Sequence, residues 1–431
     1  MYNLIDVCWF LGVIKKLLLK KRGGVVEICL LGTIMIEIIS ITLIIIGILS
    51  FVFGIFIMRT NNLKPIKREN NGRYAILIPA RDESKVIDGL LTSIDNQTRK
   101  INSKDVYVIV ESMFDKTVDI TKKHNMNIVL RHDLTKKRKG YALDDAVKEI
   151  LSKNIKYDAY FIFDADNVLD KNYIKEMEKS INKGYDIGIG YRNTKNSNNL
   201  VSAASSLTFS MVNTIANEMK VKYHNSLTIS GTGYYIRGYL IEKWEGFIFH
   251  TLTEDYEFTL YSTFNDLTST YNKKAIFYDE QPTSFIVSIK QRARWAKGYF
   301  QARCKYISNM YNENIIEGPN SSSKINEFIG IKPVISIIIG VLLFLINALI
   351  TKPFNVFLKY LVVIFLSIYI VLFVFTFIMI MKEKNHLNMS SKMRIKVIFY
   401  NPIFLASYLI CVFVLLFDRN LGWDKIEHNK N

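Results

Sequence analysis

Two aspartates separated by one residue are the first feature of this sequence that suggests chemistry. Asp164 and Asp166 follow the apolar run YFIF. Alternate residues of an extended strand project from the same face, so the two carboxylates are predicted to face one hard cation. A magnesium or manganese ion that bridges a diphosphate is the usual reason for such a pair of oxygen ligands. A solvated turn is the alternative, because the Asp-x-Asp pattern often occurs by chance.

A second acidic motif, LTEDYEF, occupies residues 252–258. Transfer of a group to a hydroxyl requires a general base, because the attacking oxygen loses its proton as the new bond forms. An acid of this motif is therefore a candidate base beside a metal–nucleotide site. The alternative is the start of a helix, in which Thr253 caps the first turn and the acids interact favourably with the helix dipole.

The segment around QRARW, residues 291–295, combines basic and aromatic residues with an apolar pattern. On a helical projection, one side carries an apolar stripe formed by Ile289, Ala293, Ala296, Phe300, Cys304 and Ile307. The opposite side carries Gln291, Arg294, Trp295 and Gly298. We therefore predict an amphipathic helix over residues 284–312 in a membrane interface, with its stripe toward lipid and its polar side toward a soluble domain. A plain surface helix anchored by its tryptophan is the alternative.

Strand and helix patterns alternate along the part of the chain that carries the first motif. Four short apolar runs indicate strands: YAILIPA (74–80), VYVIVES (106–112), NIVLR (127–131) and YFIFDADN (160–167). Helical patterns separate them, which predicts an α/β sheet covered on both faces. Ligands gather at the carboxyl ends of the strands in such sheets. The residues expected at that edge are mostly acidic: Arg81, Asp82, Glu83, Glu111, Asp164 and Asp166.

The composition indicates a membrane protein. Of the 431 residues, 49% are hydrophobic and only 22% are charged, which is unusual for a soluble enzyme. A helix needs roughly 20 apolar residues to cross a bilayer. Three segments meet this length, 36–57, 329–350 and 357–381, and a shorter fourth one, 402–417, is also predicted to span. The globular segment between the first two is expected to be cytoplasmic, because basic residues follow the first span and fill the loop before the last.

The formal net charge of +17 indicates a negatively charged partner, such as an anionic lipid surface, a phosphorylated substrate or nucleic acid. Nucleic acid is the weakest of these candidates, because the positive charges concentrate beside the spans and no nucleic-acid motif is present. The four cysteines are scattered without metal-binding spacing, so neither a zinc site nor a disulfide framework is indicated.

The two ends of the chain are the least regular parts of the membrane pattern. Residues 1–35 carry the basic cluster KKLLLKKR, which weakens the orientation signal of the first span. They are either an extension ahead of a true start at Met35 or an interfacial helix. A cleavable signal peptide is not indicated, since no small-residue cleavage site follows the apolar run. The tail, residues 418–431, is expected outside after three spans, unless one C-terminal segment is re-entrant.

The motifs occur in one order: ILIPARDES, DKT, KGYAL, DADN, SGTGYYIR, LTEDYEF and YDEQPTSFIVSIKQRARWAKG, followed by apolar spans. In this combination the chain resembles the membrane-integrated glycosyltransferases of family 2, which include the synthases of cellulose, chitin, hyaluronan and poly-N-acetylglucosamine. The resemblance covers about residues 74–300. It implies an α/β fold of the A-type glycosyltransferase class, a Rossmann-like mixed sheet with transmembrane and interfacial helices. The cytoplasmic catalytic domain is expected at residues 74–283.

The resemblance also implies roles for individual residues. Asp255 matches the catalytic base of the family, with Glu254 beside it. Asp164 and Asp166 match the aspartates that hold Mg²⁺ or Mn²⁺ on the donor diphosphate. The residues expected to bind the donor are Ala80, Asp82, Glu83, Glu111, Asp115, Lys139, Asp164, Asp166, Gln291 and Arg294. Those expected to bind the acceptor are Gly231, Thr232, Gly233 and Trp295. Glu111 departs from the family pattern, because relatives commonly have aspartate at this strand end.

The reaction implied by the resemblance is an inverting transfer of a sugar from UDP-glucose or UDP-N-acetylglucosamine to a growing polysaccharide or a glycolipid. A non-processive transfer to a polyprenyl phosphate or a diacylglycerol is the alternative, and an accessory membrane subunit is a further expected partner. Outside enzymes, the remaining hypothesis is a basic membrane protein that binds anionic lipids electrostatically. Replacing Asp164 or Asp255 by asparagine separates these hypotheses, because only the transferase depends on both carboxylates.

Overall fold

The computed structural model describes residues 24–57, 61–312 and 315–417. The predicted tail at residues 418–431 lies outside the described residues. Most of the predicted extension at residues 1–35 lies outside them as well, and both predictions stay untested by the fold.

The chain divides into two compact units. Of the described residues, the first unit contains 24–57 together with Asn326–Val371. The second unit contains the described residues between these two segments and residues 372–417, and it carries the whole sheet. All of the motifs that suggested chemistry lie in the second unit.

After one long apolar helix the chain alternates strands and helices. The elements up to the fourth strand are α1 (Gly24–Ile57), β1 (Tyr74–Pro79), α2 (Ile87–Asp95), β2 (Val106–Val110), α3 (Lys116–Lys123), β3 (Asn127–Leu130), α4 (Lys139–Ser152) and β4 (Ala159–Ile162). These four strands confirm the four predicted from apolar runs. The last one ends at Ile162, before the acidic residues that the prediction had included in it.

The second half of the sheet brings the later motifs to the first half. Its elements are β5 (Val168–Leu169), α5 (Tyr173–Asn182), β6 (Ile187–Thr194), α6 (Leu200–Met211), a π-helix (Val212–Met219), β7 (Tyr234–Arg237), α7 (Gly238–Trp244), α8 (Glu254–Phe264) and β8 (Ser269–Asp279). The remaining elements are α9 (Phe285–Lys305), α10 (Ile307–Asn312), α11 (Ser321–Ile329), α12 (Lys332–Thr351), α13 (Phe354–Glu383), α14 (Ser391–Ala406) and α15 (Tyr408–Phe417). The helix predicted at residues 284–312 is thus two helices, α9 and α10, separated at Tyr306.

The eight strands form one mixed sheet with the order β3-β2-β1-β4-β7-β6-β8-β5. The strands β3, β2, β1 and β4 are parallel neighbours, whereas β7 runs antiparallel to both β4 and β6. Two reversals return β6 to the direction of β4, and β8 is parallel to β6. The carboxyl ends of β3, β2, β1, β4, β6 and β8 therefore lie at one edge of the sheet, where α/β sheets bind their ligands.

Hydrophobic cores lie on both faces of the sheet, which confirms the predicted α/β class. One core contains Leu77 of β1 and Leu143 of α4. The other contains Ile76 of β1 and Leu90 of α2. Successive residues of β1 point to opposite faces and both find an apolar environment. Strands buried on both faces have nearly continuous apolar runs, and this made them recognisable in the sequence.

Four stretches of the described chain are long and apolar enough to cross a membrane: Leu31–Ile57, Ser321–Thr351, Phe354–Glu383 and Ser391–Cys411. Their number agrees with the four predicted spans, but the bounds of the last one differ. The structure starts it at Ser391, well before the predicted start at Pro402, and separates α14 from α15 at Ser407. Insertion of these helices into a bilayer, and a cytoplasmic location for the sheet, stay predictions.

Within the first unit, α1 and α12 are joined by polar side chains on apolar helices. The Ser336 hydroxyl donates a hydrogen bond to the Leu43 carbonyl at 2.7 Å. The Asn347 side chain donates to the Thr33 carbonyl at 3.3 Å. Small and polar residues at helix contacts are typical of helix pairs in membranes, where apolar burial alone does not favour association.

The first half of α9 packs against the last helix of the second unit. Ala293 of the predicted lipid-facing stripe is fully buried, and the Cys411 thiol of α15 approaches the Ile289 carbonyl at 3.7 Å. The second half of the stripe is exposed, with Phe300 at 38% and Ile307 at 53%. The prediction that the whole stripe faces lipid was therefore wrong for its first half, because α15 covers it.

Candidate functional site

The DADN segment forms a turn directly after β4. The Asn167 amide donates a hydrogen bond to the Asp164 carbonyl at 3.0 Å, which closes the turn. The Asn167 side chain also donates to the Asp166 carboxylate at 3.2 Å. The two carboxylates are therefore positioned by a tight turn, and the prediction that strand alternation aligns them was wrong. The turn nevertheless places both carboxylates at the carboxyl edge of the sheet.

The ammonium group of Lys139 joins three of the sequence motifs. Lys139 is the first residue of α4, and its Nζ lies 2.5 Å from Asp164 Oδ1 and 2.7 Å from the Gly231 carbonyl oxygen. The Glu254 carboxylate lies 3.7 Å from the same nitrogen. Burial disfavours the charge, but Asp164 and Glu254 outweigh it and raise the pKa of Lys139 above its ordinary value. The segments DADN, SGTG and TED are thus brought together around one buried cation.

The SGTG loop packs on the DADN turn. The Thr232 hydroxyl accepts the Asp164 amide hydrogen bond at 2.9 Å and donates to the Asn167 side chain. Gly231 has a φ of +81°, a left-handed conformation that side chains disfavour. A Cβ there would lie 3.5 Å from Asp255 Oδ2, so the loop passes directly beside the TED motif. The buried Thr232 side chain therefore supports the turn, and the loop presents its backbone to Asp255.

The TED motif begins helix α8 at Glu254. The alternative interpretation of this motif as the start of a helix is therefore confirmed, but Thr253, at the N-cap position, makes no capping hydrogen bond. Helix α9 crosses at this point. A Cβ at Gly298 would lie 2.5 Å from the Thr253 hydroxyl and 2.8 Å from its backbone nitrogen. Only a glycine at this position lets the QxxRW helix approach the start of α8 so closely.

Replacing Gly298 by alanine is expected to lower activity much more than stability. Alanine favours the helix itself, but its methyl group forces α9 away from the start of α8. A displacement of about 1 Å near reacting groups can reduce a rate by about 10²-fold. Steady-state transfer rates and thermal unfolding of the variant test this prediction, with Ala296→Ser on the same helix as the control. A Gly298→Ala enzyme as active as the wild type would contradict the close approach.

Burial and mutual repulsion shift the titration of the two acids that begin α8. Burial raises the pKa of Glu254 to about 7, while Lys139 opposes the shift and Asp255 adds to it. Burial also raises the pKa of Asp255, against the Tyr256 amide hydrogen bond and the charge of Lys139. A carboxylate whose pKa is raised toward neutrality is a better proton acceptor than an ordinary one. The start of α8 therefore has the electrostatic properties of a general-base site.

The raised pKa of Glu254 predicts a stability that falls as the pH rises. The pKa is 4.5 in an ordinary glutamate and about 7 in the folded protein, so folding favours the protonated form. This contribution is fully present below about pH 4.5 and is lost as the pH rises through about 7. The variant Glu254→Gln is therefore expected to raise the thermal midpoint of unfolding at about pH 8 more than at about pH 5.

Thermal unfolding of the wild type and of Glu254→Gln in the same detergent, at both pH values, measures this difference. Glu149→Gln is the matched control, because it changes a carboxylate in a surface pair with Lys153. Equal changes in the midpoint at both pH values would show that Glu254 is not the group whose titration destabilises the fold.

A chain of contacts connects Trp295 of α9 to the DADN turn. The Trp295 ring packs edge-on against Phe209 of α6, with ring centroids 5.8 Å apart. The Arg192 guanidinium lies 3.7 Å from the Phe209 ring centre and pairs with Asp279. Asp279 in turn accepts a hydrogen bond from the Asn167 side chain at 3.2 Å. The QxxRW helix is thus linked in space to the acidic turn.

The other two residues of the QxxRW pattern share this helix. Gln291 and Arg294 are half-buried on α9, as is Trp295. Gly298, predicted on the same side of the helix, meets the start of α8 at Thr253. Contacts define the predicted polar side of the helix at two positions. Trp295 faces Phe209 of α6, and Gly298 faces the start of α8.

The loops after β1 and β2 are tied together at the carboxyl edge. The Asp82 amide donates to Asp115 Oδ2 at 2.8 Å, and the Glu83 amide donates to the Thr117 hydroxyl at 3.1 Å. Asp115 also caps α3 by accepting the Thr117 amide hydrogen bond at 2.8 Å. Ala80 is buried, and its amide bonds to a carbonyl of β2 at 2.8 Å. These residues, all expected to bind the donor, thus lie in two loops that are connected by hydrogen bonds.

Glu111 is engaged by two arginines in the same region. Its carboxylate lies 3.2 Å from the Arg81 guanidinium and 3.8 Å from that of Arg131. The structure therefore brings Glu111 beside the other residues predicted to bind the donor, with its charge already paired.

Sequence reasoning missed several residues that organise the site. Glu257 is fully buried, accepts the His250 and Thr251 amides at 2.9 and 2.7 Å, and pairs with Lys305. Arg192 and Asp279 lie toward the carboxyl ends of β6 and β8, the same edge that holds DADN. The rule that ligands bind at strand carboxyl ends could have found Arg192 and Asp279, but the sequence patterns predicted only the first four strands.

The DADN turn offers a donor set suited to a divalent cation. Among residues 24–57, 61–312 and 315–417, no group of three or more His, Cys, Asp or Glu side chains could hold a metal by itself. Magnesium is commonly bound by one or two carboxylates, with phosphate oxygens and water completing its shell, and manganese accepts the same oxygen ligands. The Asp164 side chain is 38% exposed, so it is accessible. The two carboxylates therefore fit a cation that binds together with a diphosphate.

Comparisons with known proteins identify a family and a fold. A family model described as glycosyltransferase like family 2 matches residues 71–298, more than half of the chain. The probable glycosyltransferase YdaM of Bacillus subtilis (strain 168) is 23% identical over 258 residues, which cover 56% of this chain and 58% of that protein. The chain thus spans little more than half the length of this curated relative.

One solved structure shares the fold, and a second is a weaker match. The mannosyltransferase PcManGT from Pyrobaculum calidifontis, in complex with GDP-Man and Mn²⁺, matches with a TM-score of 0.57 and 13% identity, over 89% of this chain and 100% of that one. S. aureus TarS 1-349, in complex with UDP-GlcNAc, matches with a TM-score of 0.41 and 14% identity, over 64% of this chain and 81% of that one. The first match confirms the mixed α/β fold of the A-type class.

Proposed function

The chain belongs to the glycosyltransferase-like family 2, and we propose that it transfers a sugar from a UDP-sugar, with inversion, to a glycan or lipid acceptor at a membrane. UDP-glucose and UDP-N-acetylglucosamine are the proposed donors. The observation that carries the proposal is the Lys139 ammonium, which contacts Asp164, the Gly231 carbonyl and Glu254 at once. This contact brings the DADN, SGTG and TED motifs together at the edge where α/β sheets bind their ligands, which supports the roles proposed for them.

The donor diphosphate is proposed to bind at the DADN turn. Asp164 and Asp166 would hold Mg²⁺ or Mn²⁺, which when bound supplies positive charge to the diphosphate oxygens. Arg294 of α9 adds a permanent positive charge that stabilises the leaving group as its negative charge develops. Lys139 offsets the charges of Asp164 and Glu254, so that fewer uncompensated acids face the diphosphate.

Asp255 is the proposed general base. Its carboxylate accepts the proton of the acceptor hydroxyl while the new glycosidic bond forms and the bond between the anomeric carbon and the diphosphate breaks. Attack from the face opposite the leaving group inverts the anomeric configuration. The SGTG backbone beside Asp255 and the Trp295 ring are proposed to position the acceptor, the ring by stacking against a sugar.

We also propose that the enzyme is a multi-pass membrane protein with its catalytic domain, residues 74–283, in the cytoplasm. Four stretches are long and apolar enough to cross a bilayer, and basic residues concentrate beside them. A growing polysaccharide or a glycolipid is the proposed acceptor. Transfer to a polyprenyl phosphate or a diacylglycerol is the alternative, and an accessory membrane subunit is a further proposed partner.

A donor panel tests the proposed function. The protein, purified into lipid nanodiscs, is incubated with Mg²⁺ or Mn²⁺ and radiolabelled UDP-glucose, UDP-N-acetylglucosamine or GDP-mannose, the last because PcManGT was solved with GDP-Man. Metal-dependent release of UDP and transfer of label are expected with one UDP-sugar, and the transfer is expected to fall by about 10³-fold in Asp255→Asn. Label in precipitated polymer identifies a polysaccharide acceptor, whereas label in the organic phase identifies a lipid.

Two outcomes would overturn parts of the proposal separately. Turnover of GDP-mannose alone would reject the UDP-sugar donors but keep a sugar transfer. Absence of nucleotide release with every donor, combined with tight binding to anionic vesicles, would favour the non-enzymatic hypothesis of a basic lipid-binding membrane protein.

A further inference from the structure

A carboxylate at the end of α13 is fully buried among polar side chains of the sheet and the π-helix. Glu383 accepts hydrogen bonds from the Tyr191 and Thr214 hydroxyls, each at 2.9 Å. Its other close partner is the Lys273 ammonium at 3.2 Å. These three residues come from β6, the π-helix and β8. One side chain at the end of an apolar helix therefore contacts three separate elements around the sheet.

The connector between α13 and α14 follows the same strand. The Asn193 side chain donates to the His386 carbonyl at 2.9 Å, and the Asn388 side chain donates to the Thr194 carbonyl at 3.0 Å. The Ser197 hydroxyl bonds to the Asn388 carbonyl. The carboxyl end of β6 is thus fixed to residues 383–388 at several successive positions.

Arg192, which follows Tyr191 in β6, contacts three parts of the candidate site. Its Nη1 donates to the Ser230 carbonyl at 2.8 Å, at the start of the SGTG loop. Its Nε donates at 2.9 Å to Asp279, which holds Asn167 of the DADN turn. Its guanidinium also stacks on Phe209, the ring that supports Trp295.

Neighbouring residues of a strand point to opposite faces, so Tyr191 and Arg192 carry two different sets of contacts on one short segment. Between Gly190 and Tyr191 the pairing with β8 shifts register from Asn272 to Ile276, so the extra residues, Lys273 among them, lie on β8. The position of Arg192 thus depends on where Tyr191 is held, and Glu383 is one of the groups that hold it.

We propose that Glu383 is a positioning residue for the reaction: through Tyr191 it fixes Arg192, and through Arg192 it aligns the SGTG loop and Trp295 with the DADN turn. This inference rests on the proposed function, because it assigns Glu383 a role in sugar transfer. Glu383 is fully buried, whereas Lys273 is 31% exposed and also pairs with Glu218. The pair adds little net stability, since the cost of removing the carboxylate from water offsets the attraction. The network around Glu383 therefore acts mainly by specifying a position.

The test replaces Glu383 by glutamine, which keeps the size of the side chain but removes the charge that faces Lys273. Two rates are measured: transfer to acceptor, and hydrolysis of the donor to water. Misalignment of acceptor-side groups is expected to lower the kcat of transfer by at least about tenfold, while hydrolysis and donor KM change much less. Arg192→Lys should likewise lower the transfer rate much more than the hydrolysis rate. The double variant should lose little more transfer activity than either single variant.

A spectroscopic readout follows the same alignment without turnover. In a variant with Trp9, Trp244 and Trp423 replaced by phenylalanine, selective excitation of tryptophan makes Trp295 the source of the emission. Glu383→Gln is expected to increase acrylamide quenching of this emission, because the Phe209 support under Trp295 shifts.

Matched variants separate positioning from folding. Asp266→Asn breaks an ion pair with Lys324 in the same unit, and it should leave the rate ratio and the quenching unchanged. If Glu383→Gln does not fold, Tyr191→Phe removes a single hydrogen bond and is expected to show a smaller split. The inference is overturned if transfer and hydrolysis fall equally, or if both rates and Trp295 quenching match the wild type. If the wild type turns over no donor, the proposed function fails, and unchanged quenching would then overturn the alignment as well.

Discussion

Asp255→Asn is expected to lower kcat for sugar transfer by about 10³-fold, because asparagine cannot accept the proton of the attacking hydroxyl. Asparagine has nearly the same volume, and its side-chain oxygen can still accept the Tyr256 amide hydrogen bond at 2.8 Å. Donor affinity should therefore stay close to that of the wild type. Initial rates of nucleotide release at saturating acceptor measure the first effect, and calorimetric titration with the donor measures the second.

The matched control for this variant is Asp266→Asn. Asp266 lies just beyond the other end of α8 and pairs with Lys324 at 3.2 Å, far along the helix from the proposed acceptor. It should retain the wild-type rate. If Asp255→Asn keeps more than about a tenth of the wild-type kcat, the loss is below the usual range for a general base, and the base must be sought elsewhere.

Asp166→Asn is expected to lower kcat/KM for the donor by about 10³-fold, because the stabilisation that a metal ion gives to developing charge is worth several kcal/mol. The amide is a neutral and weaker ligand for a hard cation than a carboxylate. The concentration of Mn²⁺ that gives half-maximal activity should rise strongly at the same time. Measuring rates across a Mn²⁺ titration, with removal of metal by chelation as the zero point, separates this effect from misfolding.

Asp158→Asn serves as the control for the acidic turn. Asp158 lies just before β4, at the opposite end of the strand, and accepts the Arg73 amide hydrogen bond at 2.9 Å. Its metal dependence should match the wild type. An Asp166→Asn enzyme with an unchanged Mn²⁺ requirement would place the metal outside the DADN turn.

The first half of the sheet could be predicted from the sequence because its strands are buried on both faces. β2 is buried at every position, and such strands have an apolar residue at each step. The rule that ligands bind at strand carboxyl ends then located DADN and the loops after β1 and β2. These predictions needed only local patterns and one topological rule.

The contacts that assemble the site could not be predicted, because they join distant segments. Lys139 and Gly231 are 92 positions apart, and Arg192 and Asp279 are 87 apart. No local periodicity records such a pairing. The prediction that strand alternation aligns Asp164 and Asp166 failed for a related reason, since a strand pattern does not show at which residue the strand ends. β4 stops at Ile162, so Asp164 belongs to the turn.

The two arginines of QRARW illustrate the limit of a helical projection. Residues two apart on a helix point in directions about 200° apart, so Arg292 and Arg294 face different surroundings. Arg292 is buried at 2% exposure between the rings of Phe404 and Tyr408, and it donates to the Ser407 hydroxyl at 3.0 Å. The projection could separate the two arginines, but it could not show which helix covers the first one.

The most direct test of the central claim is a structure of the protein in lipid with Mn²⁺ and a UDP-sugar, in which the metal is located by its anomalous signal. We expect a metal ion about 2.0–2.3 Å from a carboxylate oxygen of Asp164 or Asp166 and from the donor diphosphate, with the sugar between this turn and Asp255. A diphosphate bound away from the DADN turn, or a sugar on the side of the sheet remote from Asp255, would contradict the account.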